Sequence, residues 1–158
     1  MALEIERKFL VVDEGWRRLA DAGTRYRQGY LAGNERCSVR VRLAADAAWL
    51  NIKGATIGAS RSEFEYPVPP GDAAAMLEGL CGGQVLEKVR YRVRHGDHLW
   101  EVDCFEGANA GLVVAEVELA AEDEPFERPP WVGEEVTHLR RYYNAALVQH
   151  PYREWGST

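Results

Sequence analysis

A chain of 158 residues, 46% apolar and 28% charged, has room for one domain with a real core and is neither disordered nor membrane-spanning in composition. A net charge of −6 disfavours a nonspecific nucleic-acid binder, which needs a basic surface to neutralise phosphates. No apolar run approaches the roughly 20 residues of a transmembrane helix, and MALEIERKFL at the start shows no secretory pattern. The expected location is therefore the cytoplasm, with neither membrane nor nucleic acid as a partner.

Leu3 to Val12 alternates Leu3, Ile5, Phe9 and Val11 against Glu4, Glu6 and Lys8, the period of two that marks a strand. Glu14 to Ala22 reads as a short helix ended by Gly23. A strand over Tyr26 to Ala32 turns at Gly33-Asn34 into strands at Cys37 to Leu43 and Ala48 to Lys53. Another strand covers Ser62 to Val68, after which Pro69-Pro70-Gly71-Asp72 opens a helix through Leu80 that stops at Gly82-Gly83. Val85 to Val93 and His98 to Phe105 form a hairpin about Gly96-Asp97, and Leu112 to Ala120 is the last long strand. Glu122 to Glu127 reads as a short helix, Pro129-Pro130-Trp131 as a rigid connector and Leu139 to His150 as a terminal helix. With no linker or repeat, one domain is expected over residues 1–158. Cys37, Cys81 and Cys104 lack metal or disulfide spacing and read as buried small hydrophobes.

The charged faces of these strands are sorted by sign. Acidic pairs stand at Glu4/Glu6, Glu63/Glu65, Glu101/Asp103 and Glu116/Glu118; basic ones stand at Arg40/Arg42 and Lys88/Arg90, with Lys53 beside Asn51. A spacing of two puts each pair on one strand face, where like charges destabilise a sheet. A solvated antiparallel sheet also has one polar face, but such faces usually mix signs within a strand. Roughly eight strands suffice to close a barrel around a small ligand. The expected architecture is thus α+β, mainly antiparallel: an eight-stranded closed tunnel with a charged interior and helices packed outside. Metal ions would face the carboxylates, and a polyanion the bases.

EIERK at Glu4 to Lys8 resembles the ExExK signature of the CYTH superfamily, the triphosphate tunnel metalloenzymes. RQGYL, VRVRL, LNIKG, RSEFEY, LEKVRYRV, WEVDCFEG, VVAEVEL and WVGEEVT follow in the order that family shows, so the resemblance spans nearly the whole chain. It is closest to the short bacterial proteins that hydrolyse inorganic tripolyphosphate. The resemblance implies metal-dependent hydrolysis of tripolyphosphate to phosphate and pyrophosphate, a small-molecule triphosphate partner and Mg²⁺ or Mn²⁺ as cofactor. It implies substrate binding by Lys8, Arg40, Arg42, Lys53, Lys88 and Arg90, joined by Arg141 at one tunnel mouth. Metal would fall to Glu4, Glu6, Glu116 and Glu118 first, then Glu63, Glu65 and Asp103. Tyr30 and Lys88 would pair inside the tunnel as catalytic groups. Alternatives on the same fold are a nucleoside or thiamine triphosphatase, a class IV-type adenylate cyclase and a noncatalytic polyphosphate-binding module. Assembly is open, with a homodimer the commonest soluble arrangement.

Overall fold

A computed structural model describes residues 3–156, so the outermost positions of the expected 1–158 domain lie outside the described residues. Nine strands follow one another: β1 (Leu3–Val11), β2 (Thr24–Gly33), β3 (Cys37–Leu43), β4 (Ala48–Gly54), β5 (Ser60–Val68), β6 (Val85–His95), β7 (His98–Phe105), β8 (Val113–Glu118) and β9 (Val132–Glu135). They form one antiparallel sheet in the order β5-β4-β3-β2-β6-β7-β8-β1-β9, and pairing of β5 with β1 closes eight of them into a ring. This matches the class read from the sequence, with β9 as an addition. β9 joins β1 beyond the stretch that β5 occupies: Leu3 to Ile5 face β5, and Phe9 and Val11 face β9.

Period two does the sorting. On each ring strand one set of side chains turns into the lumen and the alternate set turns outward, where apolar residues must find cover. Three clusters supply it. Phe9, Trp100, Val102 and Val117 are buried beneath Trp16 and Trp131. Trp100 lies against Phe9 with ring centroids 5.5 Å apart and meets Trp131 nearly edge-on at 5.8 Å, contacts that add about 0.5–1.5 kcal/mol each to their burial. Leu86, Phe105 and Val114 pack against Tyr142 and Leu147. The helix α1 (Pro70–Gly79) seats Ala73 and Leu77 on Val41 and Ala48.

The sequence expectations fail in three places outside the ring. Glu14 to Ala22 is a 3₁₀ turn at Gly15–Leu19. Glu122 to Glu127 forms no helix; instead the Glu124 carboxylate accepts the Ala120 N–H at 2.6 Å and Phe126 packs edge-on to Phe9. The terminal helix expected over Leu139 to His150 is a 3₁₀ turn (Arg140–Tyr142) and a single α-turn, α2 (Asn144–Leu147), separated by an extended Tyr143. The Lys8 ammonium takes the Tyr142 carbonyl at 3.2 Å, so that oxygen serves the tunnel rather than a continuous helix.

Candidate active site in the tunnel

The ring encloses a cavity of about 330 Å³, within the range of small-ligand sites. From β1 come Glu4, Glu6 and Lys8; from β3, Arg40 and Arg42; from β4, Lys53; from β6, Lys88 and Arg90. Arg61, Glu63 and Glu65 of β5, Glu101 of β7 and Glu116 and Glu118 of β8 complete the charged lining, with Tyr30 of β2 beside them. Residues spread over eight strands thus meet in one volume because alternate positions share the lumen.

At the basic side the cations outnumber their partners. Arg90 grips Asp103 with two parallel bonds, Nε to Oδ1 at 2.8 Å and Nη2 to Oδ2 at 2.9 Å, and the Lys88 ammonium donates to Oδ2 at 2.8 Å. Asp103 is wholly buried; burial opposes its ionisation, but the adjoining Arg90 and Lys88 charges outweigh that and hold it far below the usual carboxylate range. Its oxygens are taken and it is absent from the cavity wall. In this structure Asp103, expected as a metal ligand, serves instead as an anchor for two cations. Burial, with Arg90 and Arg42 nearby, pushes Lys88 down to about 7 despite Asp103. Burial, Arg40 and Arg90 likewise push Arg42 down to about 9, and Lys53 is lowered by burial and Arg40 against the pull of Glu4. A polyanion entering here would relieve that repulsion.

The opposite side carries excess negative charge. Glu6 and Glu118 stand directly across from each other on β1 and β8, and neither meets a cation within ion-pair distance among the described residues. Burial, then Glu116 and Glu4, raise Glu6 to about 8; burial, then Glu4, Glu101 and Glu63, raise Glu118. Glu4 is tied to Lys53 at 3.4 Å and Arg61 at 3.0 Å, which bring it below its ordinary value although burial opposes them. Glu116 reaches Lys8 and Arg90 at 3.7 Å each; those charges overcome its burial and take it down to about 2. Glu63 pairs with Lys53 at 3.2 Å, and Glu65 accepts from Asn51 at 2.7 Å. Among the described residues no three carboxylates or imidazoles enclose a point on their own. A hard divalent cation that keeps waters and shares substrate oxygens fits such a half-built oxygen site.

The structure gathers every expected site residue except two. Asp103 lies behind the wall, and Arg141 lies outside it, exposed, with its guanidinium stacked on Trp155 at 4.8 Å. Tyr30 and Lys88 both line the cavity; in the strand register Lys88 sits opposite Tyr26 on β2 and Tyr30 opposite Arg40 on β3. Sequence reasoning missed Arg61, whose Nε donates to Glu4, although its β5 alternation with Glu63 and Glu65 carried the signal. It also missed Gln28, fully buried between Tyr26 and Tyr30 on the inward side of β2, and Asn144, which no periodicity marks.

Comparison with known proteins bears on this arrangement. The pattern of the CYTH domain matches residues 2–147. An inorganic triphosphatase of Acetivibrio thermocellus is 46% identical over 155 residues, covering 98% of this chain and 99% of that protein. One of Nitrosomonas europaea is 37% identical over 149 residues, covering 92% and 96%. A solved crystal structure of an inorganic triphosphatase superimposes with a TM-score of 0.66 at 33% identity, over 94% of this chain and 95% of that one.

Proposed function

The chain belongs to the CYTH domain family, and from that membership we propose that it hydrolyses inorganic tripolyphosphate to phosphate and pyrophosphate in its tunnel, with Mg²⁺ or Mn²⁺ as cofactor. One observation carries the reading: a single small cavity holds a crowd of under-neutralised cations and, facing them, a pair of opposed carboxylates with no cationic partner among the described residues. The share of this chain covered by the two triphosphatase relatives supports it.

Arg40 and Arg42 present guanidinium donors to the phosphate oxygens, Arg90, whose Nε and Nη2 are held by Asp103, offers Nη1, and Lys8, Lys53 and Lys88 act as point charges. Glu6 and Glu118 would hold the divalent cation, with Glu4 and Glu116 next to them and Glu63 and Glu65 at the β5 side. When bound, that ion neutralises phosphate oxygens and acidifies the attacking water. Water attacks a terminal phosphorus in line, giving a proton to a tunnel carboxylate, and the pyrophosphate leaves with the electron pair of the broken P–O bond. Lys88, poised near 7 in the free tunnel, holds its proton once the polyanion is alongside and can give it to the leaving pyrophosphate oxygen. Tyr30 lines the same volume and orients the phosphate chain. No helix among the described residues is long and apolar enough to cross a membrane; we place the enzyme in the cytoplasm.

The test is to incubate the purified protein with tripolyphosphate, ATP or thiamine triphosphate, each with Mg²⁺, with Mn²⁺ or with chelator, and to identify products. Equimolar phosphate and pyrophosphate from tripolyphosphate, lost on chelation, is the expected outcome. Cyclic AMP from ATP, or no turnover of any substrate, would overturn the reading.

A further inference from the structure

The tunnel wall is not made by strands alone. Asn144, the first residue of α2, joins it, carried there by a segment tied to the ring through Lys8 and the Tyr142 carbonyl. Its amide orientation follows from the groups around it. Arg42 has only donors, so its Nε, 3.1 Å from Gln28, fixes the receiving atom as Oε1. The other end of the Gln28 amide is then Nε2, which donates to Asn144 at 3.0 Å. The receiving atom of Asn144 is therefore Oδ1. The Lys88 Nζ donates to the same oxygen at 2.9 Å. Two separate donors agree on which way the amide is turned.

Its Nδ2 is what remains. That group carries two N–H bonds, meets no acceptor among the described residues and is not a buried unpaired atom, in a residue that lines the tunnel beside Lys8 and Lys88. We infer that Asn144 is a substrate-binding residue whose Nδ2 donates to a nonbridging oxygen of the inorganic phosphate chain, while its Oδ1 keeps Lys88 and Gln28 in place. The assignment rests on the proposed function. A neutral donor suits this position because it adds a hydrogen bond without adding charge to a wall of mutually repelling cations.

Turnover and a spectroscopic signature together test it. Asn144→Ala should raise the KM for tripolyphosphate on the order of tenfold or more, the loss expected when a hydrogen bond to a charged group is removed. Asn144→Asp retains an acceptor for Lys88 and Gln28 but replaces the donor by a second oxygen; it should keep the wild-type Tm and lose at least as much binding. In ¹⁵N-labelled wild type, the Asn144 side-chain amide pair, identified by its absence from the Asn144→Ala spectrum, should shift on titration with Mg²⁺ and pyrophosphate. An Asn144→Asp variant with wild-type KM, or an amide pair unmoved at saturating pyrophosphate, overturns the assignment. Failure of the wild type to cleave tripolyphosphate overturns the proposed function instead, and the pyrophosphate titration does not depend on that outcome.

Discussion

Asp103 acts from behind the cavity wall. Its carboxylate satisfies three donors from Arg90 and Lys88 with no exposure to water, so Asp103→Asn should cost about 3–5 kcal/mol in a urea titration at pH 7, the usual penalty for leaving a buried charge unpaired. The sign with pH follows from the depressed carboxyl: its stabilisation is complete above about pH 4 and disappears only as pH falls towards the much lower folded value. The gap between wild type and Asp103→Asn should therefore persist at neutral pH and close only in strong acid. Glu6 runs the other way. Its value is raised to about 8, so without divalent cation the folded state loses stability as pH climbs from about 4.5 to 8. Glu6→Gln should then melt higher than wild type at pH 9 in chelator, with the difference shrinking towards pH 5. The same variant should lose metal-dependent turnover by more than the roughly 10–100-fold typical of outer-shell partners. A wild-type rate would remove Glu6 from the metal site.

Ring strands such as β3 and β6 were legible because they alternate apolar and charged residues, and a two-residue period survives any tertiary context that buries one face. β9 was not. Its four residues, Val132–Glu135, are too few to show alternation, and only their pairing with Phe9 and Val11 makes them a strand. The broken terminal helix has a similar cause, since Tyr142 gives its carbonyl to a lysine more than 130 positions away, which local propensity does not register. Charge spacing placed Glu101 and Asp103 on the same strand face, but spacing does not say that Asp103 has its oxygens filled while Glu101 lines the cavity. At the α1 docking site the decisive residue is Gly29 on β2. A Cβ there would stand 2.8 Å from Cys81 Sγ, 3.0 Å from the Gln84 carbonyl and 3.1 Å from Leu77 Cδ2. Gly29→Ala should push the end of α1 off the ring and cost about 1–3 kcal/mol in thermal or chemical unfolding; a neutral effect would mean that α1 is not rigidly seated.

Around the whole molecule the seams are unequal. β6 and β7 share eight register pairs, whereas β1 and β5, which close the ring, share three, Leu3 with Ser62, Glu4 with Arg61 and Ile5 with Ser60. Local opening follows the least-supported pairing, so amide exchange among the ring strands should be fastest at Leu3 to Ile5 and Ser60 to Ser62. Tripolyphosphate with Mg²⁺ should slow it, because Glu4, Lys53 and Arg61 meet across that seam. Slower exchange there than in the β6–β7 hairpin would contradict this ranking. β1 is also the strand that waits longest. Its neighbours β8 and β9 come from the far end of the sequence, and the Lys8 N–H bonds a threonine 129 positions later. On the ribosome, the hairpins of β2 through β5 and of β6 with β7 can form as they emerge and join through β2 and β6, but β1 stays without most of its pairing until nearly the entire chain has been made. Completion of the catalytic chamber is thus a late event in synthesis, and a translation pause before residue 113 would leave the nascent protein with an unsheltered apolar edge for chaperones to cover.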